Sequence, residues 1–352
     1  MPGAFLCTAP GRAGIIGNPT DMYGGCVISC STEERAAVII EPCDEFRFHV
    51  AGQTLTIRDE DDLAPDGGLF DVAKAVLIFL GLPKKRFSLR WACNVPFGAG
   101  LSSSSAMTVS ILNAVLAFLG REEHAFRRAE MARHIELHHL GILCGYQDAY
   151  MCTFGGLNYL DFSEKQFYRT FGEEPFGTVE SLDDYVDDLP FVLVHTGTRR
   201  SSGAIHKPIR ERFLEGDREV IRCYLRIAHL CRMGKRALLS GDWALLGDLM
   251  IENHEIQEYL GGSGPQNERL IEASLEAGAL GAKLAGAGGG GTIIVLTEEP
   301  EKIIEAVKAA GAHRILLPKP TPGVTVTPLR GKKTMHQAEA ELSMREEHAD
   351  VP

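Results

Sequence analysis

A glycine- and serine-rich run, Pro96-Phe97-Gly98-Ala99-Gly100-Leu101-Ser102-Ser103-Ser104-Ser105-Ala106, joins a strand-like segment to a helix that is apolar on nearly every side. Before it, Phe87-Ser88-Leu89-Arg90-Trp91 alternates as a strand does. After it, only Thr108, Ser110 and Asn113 interrupt the apolar stretch from Ala106 to Leu119. A helix without a polar face must be buried all round, so it belongs at the centre of a layered structure. The loop at its start is then held against that core. Its glycines let the backbone turn tightly and present N–H groups, to which the positive helix end adds. The four serine hydroxyls can bond phosphate oxygens or a hard cation. A flexible linker would need solvent around it, which the buried helix denies. The lysine of GxxxxGK[ST] is missing, so this is not a Walker loop.

Two further segments share this character. In Gly281–Gly291, the glycines Gly286, Gly288 and Gly291 fit GxGxxG, but the strand Thr292–Leu296 follows where a dinucleotide fingerprint needs a helix. Glycines entering a strand instead let backbone pass close to a ligand. In Pro10–Gly25, one cation, Arg12, and one carboxylate, Asp21, stand among apolar and turn residues and mark a polar site.

The net charge of −11, from 36 Lys+Arg against 47 Asp+Glu, argues against a nucleic-acid partner. No apolar run reaches membrane-spanning length, and the start MPGAFLCTAP lacks the form of a signal peptide. Nine cysteines without a CxxC pair fit neither a disulfide framework nor a structural zinc site. The expectation is a cytoplasmic protein, monomer or homodimer, with no membrane partner.

Strands are expected at Val38–Ile40, Phe46–Val50, Leu157–Leu160 and Phe191–Val194, and helices over 70–80, 122–140, 268–277 and 298–310. A long helical pattern covers 210–259, broken at Gly241-Asp242. Composition divides the chain near 180–190, giving segments 1–185 and 186–330. The charged tail 331–352 is expected to fray or to form a solvated helix.

These three segments, in this order and at these distances, resemble the GHMP kinases (galactokinase, homoserine kinase, mevalonate kinase, phosphomevalonate kinase) over roughly residues 5–320. The resemblance implies an α+β, two-domain fold: an N-terminal domain like ribosomal protein S5 domain 2 and a ferredoxin-like C-terminal domain. The first segment is similar to PGRxxxxGxxxD, with Asn18-Pro19 where galactokinases carry Glu-His. By resemblance the second binds the ATP phosphates through Pro96, Gly98, Ala99, Gly100, Leu101, Ser102, Ser103, Ser104 and Ser105. Mg²⁺ would sit on Ser104 and Glu136, Asp148 would be the catalytic base, and Arg12 would stabilise the charge developing in transfer. Asp21, Tyr23, Gly24, Arg199, Arg200, Gly288 and Gly289 are the implied substrate contacts. Gln147-Asp148, Phe154-Gly155-Gly156 and Thr196-Gly197-Thr198-Arg199 resemble heptose 7-phosphate kinases, and Gly17–Gly25 is more similar to glucuronokinases.

The implied activity is ATP-dependent phosphorylation of an anomeric hydroxyl, with a uronic acid such as glucuronate favoured. The alternatives are a heptose 7-phosphate 1-kinase, a mevalonate-type kinase and a non-catalytic sugar or nucleotide sensor. A zinc hydrolase could be built on His134 and His138, four apart on one helix, but the order His-Ile-Glu-Leu-His is not HExxH.

Overall fold

A computed structural model describes residues 3–165, 171–198, 202–286, 288 and 290–347, without side chains for 202–206. The expected sites Arg199, Arg200 and Gly289 lie outside the described residues. The chain begins with β1 (Ala4–Ile16), β2 (Cys26–Pro42), β3 (Phe46–Val50) and β4 (Gln53–Ile57). Then come α1 (Asp71–Leu80), β5 (Phe87–Cys93), α2 (Ser103–Leu119), α3 (Ala125–His138) and α4 (Gln147–Phe154). Next follow β6 (Leu157–Asp161), β7 (Thr178–Ser181), β8 (Phe191–His195), α5 (Ser202–Leu214), α6 (Arg218–Ser240) and α7 (Trp243–Tyr259). The chain closes with α8 (Pro265–Glu276), β9 (Gly281–Leu284), β10 (Thr292–Leu296), α9 (Pro300–Ala309), β11 (Arg314–Leu316), β12 (Thr325–Leu329) and α10 (Lys332–Glu347).

The strands form two sheets. The larger runs β12-β1-β2-β5-β3-β4, with β6 on the first residues of β2 and β7 beyond it; the smaller is β11-β8-β10-β9. All pairs are antiparallel except β3 with β5. The register sets Val38 opposite Trp91 and Phe5 opposite Ile40, which turns the branched apolar side chains of β2 onto one covered face. Helix α2 lies against that face, and Val109, Ile111, Leu112 and Val115 are wholly buried, as its apolar circumference requires. The same core continues through Ile16, Cys231 and Met250 into the helices that cover the smaller sheet.

The Pro10–Ile16 stretch is the second half of a 13-residue strand, in which Pro10 and the glycines fall at shifts of register. Two local expectations change. Helix α2 starts at Ser103 rather than Ala106, so the last three serines form its first turn. The tail forms a helix over 332–347, one of its two expected states, but not a wholly solvated one: β12, just before it, pairs with β1, and α10 buries Ala338 and Leu342 against Leu6, Ile39 and Ala92. A charged sequence hid this because only one narrow stripe of α10 is apolar.

Leu342→Ala should therefore destabilise the fold by about 2 kcal/mol, at the low end for a buried leucine, since the cluster lies at an edge. Urea midpoints test it. An unchanged midpoint would mean that α10 does not dock.

Candidate active site

The strand β1 reaches both other glycine segments through its backbone. Arg12 N donates to Leu101 O at 3.0 Å, and Gly14 N donates to Ala285 O at 3.0 Å. A Cβ on Gly286 would stand 2.6 Å from Gly100 O, and one on Gly291, whose φ is +75°, would stand 2.7 Å from Ala99 O. The third segment thus packs on the serine loop backbone against backbone, a contact closed to any larger residue.

Between them lies a cavity of about 490 Å³. Its wall draws on Arg12, Asn18 and Asp21, on Gly98, Gly100 and Ser102–Ser105, on Glu136 and Asp148, and on Gly286. All three sequence segments meet there. Pro96, Ala99 and Leu101 are instead buried behind the loop, supporting its turn.

Ser102 precedes α2 with φ +65°, one of two described non-glycine residues with positive φ, and no side chain caps the helix. The first-turn amides of Ser103, Ser104 and Ser105 keep their donors for an anion, at the positive end of a 17-residue helix. Ser105 Oγ donates to Glu136 Oε2 at 2.6 Å. The Ser104 hydroxyl is buried without a hydrogen-bond partner, near enough to the same carboxylate to steady its charge. Burial raises Glu136 to about 7, with the two serines pulling the other way.

Arg12 spans the floor. Its Nε donates to Asp148 Oδ1 at 2.8 Å, Nη2 bonds the same oxygen, and Nη1 donates to Gly100 O. Asp148 sits in the first turn of α4 with its side chain 24% exposed, so Oδ2, which accepts no hydrogen bond among the described residues, faces open space. Asp21, on the turn Thr20–Tyr23, accepts from Gln147 N at 2.9 Å. A Cβ on Gly145 would strike the Asp21 carboxylate, so glycine there lets the α4 amide approach. Burial raises Asp21 to about 6; the Gln147 amide lowers it, and the Asp148 charge raises it further.

Other expected contacts lie elsewhere. Tyr23 stacks on Tyr224 at 4.0 Å and meets Phe213 in a tilted contact at 4.6 Å, packed against the core of the C-terminal helices. Gly24 closes the Thr20–Tyr23 turn, and Gly288 packs on the Gly262 carbonyl. None of the three lines the cavity. His134 packs on Phe79 and Phe171, and among the described residues neither it nor His138 belongs to a group of three metal-ligating side chains, so the zinc alternative gains no support there.

Three contributors escaped sequence reading. Asn18 donates to Leu284 O and Gly286 O at 3.3 and 3.2 Å and accepts from Lys283 Nζ at 2.7 Å. Lys283 is wholly buried, and desolvation first, then Arg12, lowers it to about 7. The 140–147 turn walls the cavity's far side. A single lysine inside the short strand Gly281–Leu284 was the one available signal.

Comparison with known proteins identifies the family. The description "GHMP kinases N terminal domain" matches residues 69–156, "GHMP kinases C terminal" matches 235–313, and "Galactokinase galactose-binding signature" matches 2–42. A probable glucuronokinase 2 of Arabidopsis thaliana is 29% identical over 328 residues, covering 86% of this chain and 87% of that protein. A mevalonate kinase of Thermococcus sibiricus is 27% identical, covering 88% and 95%. The structure of Lactococcus lactis galactokinase complexed with galactose superposes with a TM-score of 0.73 at 18% identity, covering 92% and 95%.

Two outcomes follow from this geometry. Gly286→Ala should cost roughly 1–3 kcal/mol, since a backbone oxygen cannot move aside cheaply; an unperturbed melting curve would contradict the backbone contact. Asp21 has a folded pKa of about 6 against an ordinary 3.8, so the folded chain holds that proton more tightly and loses stability as pH rises through this window. Asp21→Asn removes that loss and should stabilise the chain by roughly 1–3 kcal/mol at pH 8. The gain should shrink toward pH 5 in urea unfolding. A gain independent of pH would exclude the carboxylate as its source.

Proposed function

Because the chain belongs to the GHMP kinase family, whose members are phosphotransferases acting on an alcohol, we propose that it transfers the γ-phosphoryl of ATP to the anomeric hydroxyl of a sugar or sugar acid. One observation carries this reading: a single cavity holds both the uncapped, serine-lined tip of α2 and the Arg12–Asp148 pair. The first accepts phosphates and the second prepares the acceptor. Phosphoryl transfer asks for little more than positioning and charge neutralisation.

In this reading the acceptor O–H gives its proton to Asp148 Oδ2 as its oxygen bonds the γ-phosphorus. The bond to the β-phosphate oxygen breaks, and ADP leaves. Arg12 holds Asp148 by Oδ1, keeping Oδ2 aimed into the cavity, and offers positive charge to the transferring group. The backbone donors of Ser103–Ser105 hold the phosphate tail. A second cavity, of about 540 Å³ and mostly apolar, shares Phe97 with the first and suits the nucleoside.

A magnesium ion fits the residues present. The unpartnered Ser104 hydroxyl and the buried Glu136 carboxylate are hard oxygen donors side by side, and a cation would offset the burial of that charge. When bound, it would neutralise phosphate charge.

For the acceptor, Asp21 supplies a buried hydrogen-bond acceptor beside Asp148, inside the segment matching the galactose-binding signature. We favour a uronic acid, on the similarity to the Arabidopsis glucuronokinases. The similarity to mevalonate kinases favours a mevalonate-type acceptor as the second reading. None of the nine thiols is in a disulfide, which accords with a reducing, cytoplasmic setting.

A coupled ADP-release assay over glucuronate, galacturonate, galactose, arabinose, heptose 7-phosphate and mevalonate decides among these. Turnover should be highest with a uronic acid, and mevalonate as the sole acceptor would refute the sugar reading. Asp148→Asn should keep ATP binding and lower kcat by about 10²–10⁴. Full activity in that variant would leave Asp148 no part in proton transfer.

A further inference from the structure

Helix α10 has so far only a packing role, yet its last turn carries an unusual residue. Arg345 is charged and only 6% exposed. Its Nη1 donates to Asn94 Oδ1 at 3.1 Å and its Nη2 to Glu341 Oε1 at 3.0 Å. Asn94 Oδ1 also accepts from Arg35 N at 2.8 Å, so one carboxamide ties β2 to the tail helix. Asn94 stands two positions before Pro96, where the chain leaves β5 to form the serine loop. The neighbouring Glu346 borders the 540 Å³ apolar cavity and is the one charged residue among its described lining.

We propose that α10 is the base-selecting wall of the nucleotide site. Arg345 fixes the root of the phosphate loop through Asn94, and Glu346 accepts a hydrogen bond from an amino group on the base. The inference rests on the reading that the apolar cavity takes the nucleoside. Such a cavity holds any flat base by contact area, and the few polar groups at its wall decide which one. A carboxylate only accepts, so it favours a base edge that donates, as adenine's amine does, and disfavours a carbonyl at that position. Arg345, gripped by a carboxamide and a carboxylate at once, keeps the last turn of α10 and hence Glu346 in place.

Kinetics of the full chain with ATP and with ITP, which carries a carbonyl where ATP carries the amine, provide the test. Wild type should prefer ATP by roughly tenfold in kcat/KM, the worth of one hydrogen bond to a charged group. Glu346→Ala should bring the two nucleotides within about twofold of each other at unchanged kcat. Arg345→Ala should raise KM for both nucleotides about tenfold, leaving kcat and the KM of the acceptor near wild type, and Arg345→Lys should recover part of the loss. An ATP preference that survives Glu346→Ala, or an unchanged nucleotide KM in folded Arg345→Ala, would overturn the proposal. If Arg345→Ala does not fold, the Glu346→Ala ratio alone decides. Failure of wild type to bind ADP in calorimetry would strike the kinase reading itself.

Discussion

Two backbone hydrogen bonds from β1, Arg12 N to Leu101 O and Gly14 N to Ala285 O, hold the whole site together. Neither involves a side chain, so they can form only if the partner loops come within backbone distance of the strand and of each other. That demand explains the glycines. Gly286 and Gly291 face carbonyl oxygens at separations that exclude a methyl group. The loops are therefore shaped by mutual exclusion, and the serine-lined tip of α2 inherits its position from a strand ninety residues earlier.

Around that frame the charges are arranged unevenly. Asp21, Glu136 and Asp148 crowd one cavity, with Arg12 as the only cation in its described wall. Burial alone would discharge the first two, and the hydrogen bonds from Gln147 N to Asp21 and from Ser105 Oγ to Glu136 work against it. Such a concentration of partly compensated acid is poor for stability and useful for chemistry that handles protons and a polyanion with its cation. The wholly buried Lys283, held by Asn18 and a carbonyl, extends the same pattern behind the third glycine loop.

Much of this was legible beforehand. The apolar circumference of α2 placed it in the core, and seven residues of the run beside it line the cavity. Arg12 and Asp21 stand out as lone charges among apolar and turn residues, Glu136 and Asp148 are implied by the family resemblance, and all four line one cavity. What failed was whatever depends on long-range packing. The family resemblance makes Tyr23 a substrate contact beside Asp21, yet a turn of 3-10 helix points it into the aromatic cluster of α5 and α6. The partnership of Asn18 with Lys283 spans 265 positions, and no local pattern announces it. The tail looked too charged to pack because its burial rests on two small contacts, Ala338 and Leu342.

The return of β12 to the edge of β1 also bears on how the chain is made. A strand near the start waits for a partner some three hundred residues later, so during synthesis its outer hydrogen-bonding groups stay unpaired while all the elements between are made. Until then the nascent chain presents an open sheet edge, the kind of surface on which chains pair with the wrong neighbour. The arrival of β12 and its helix closes that edge, so the exposure lasts for the synthesis of the whole intervening chain.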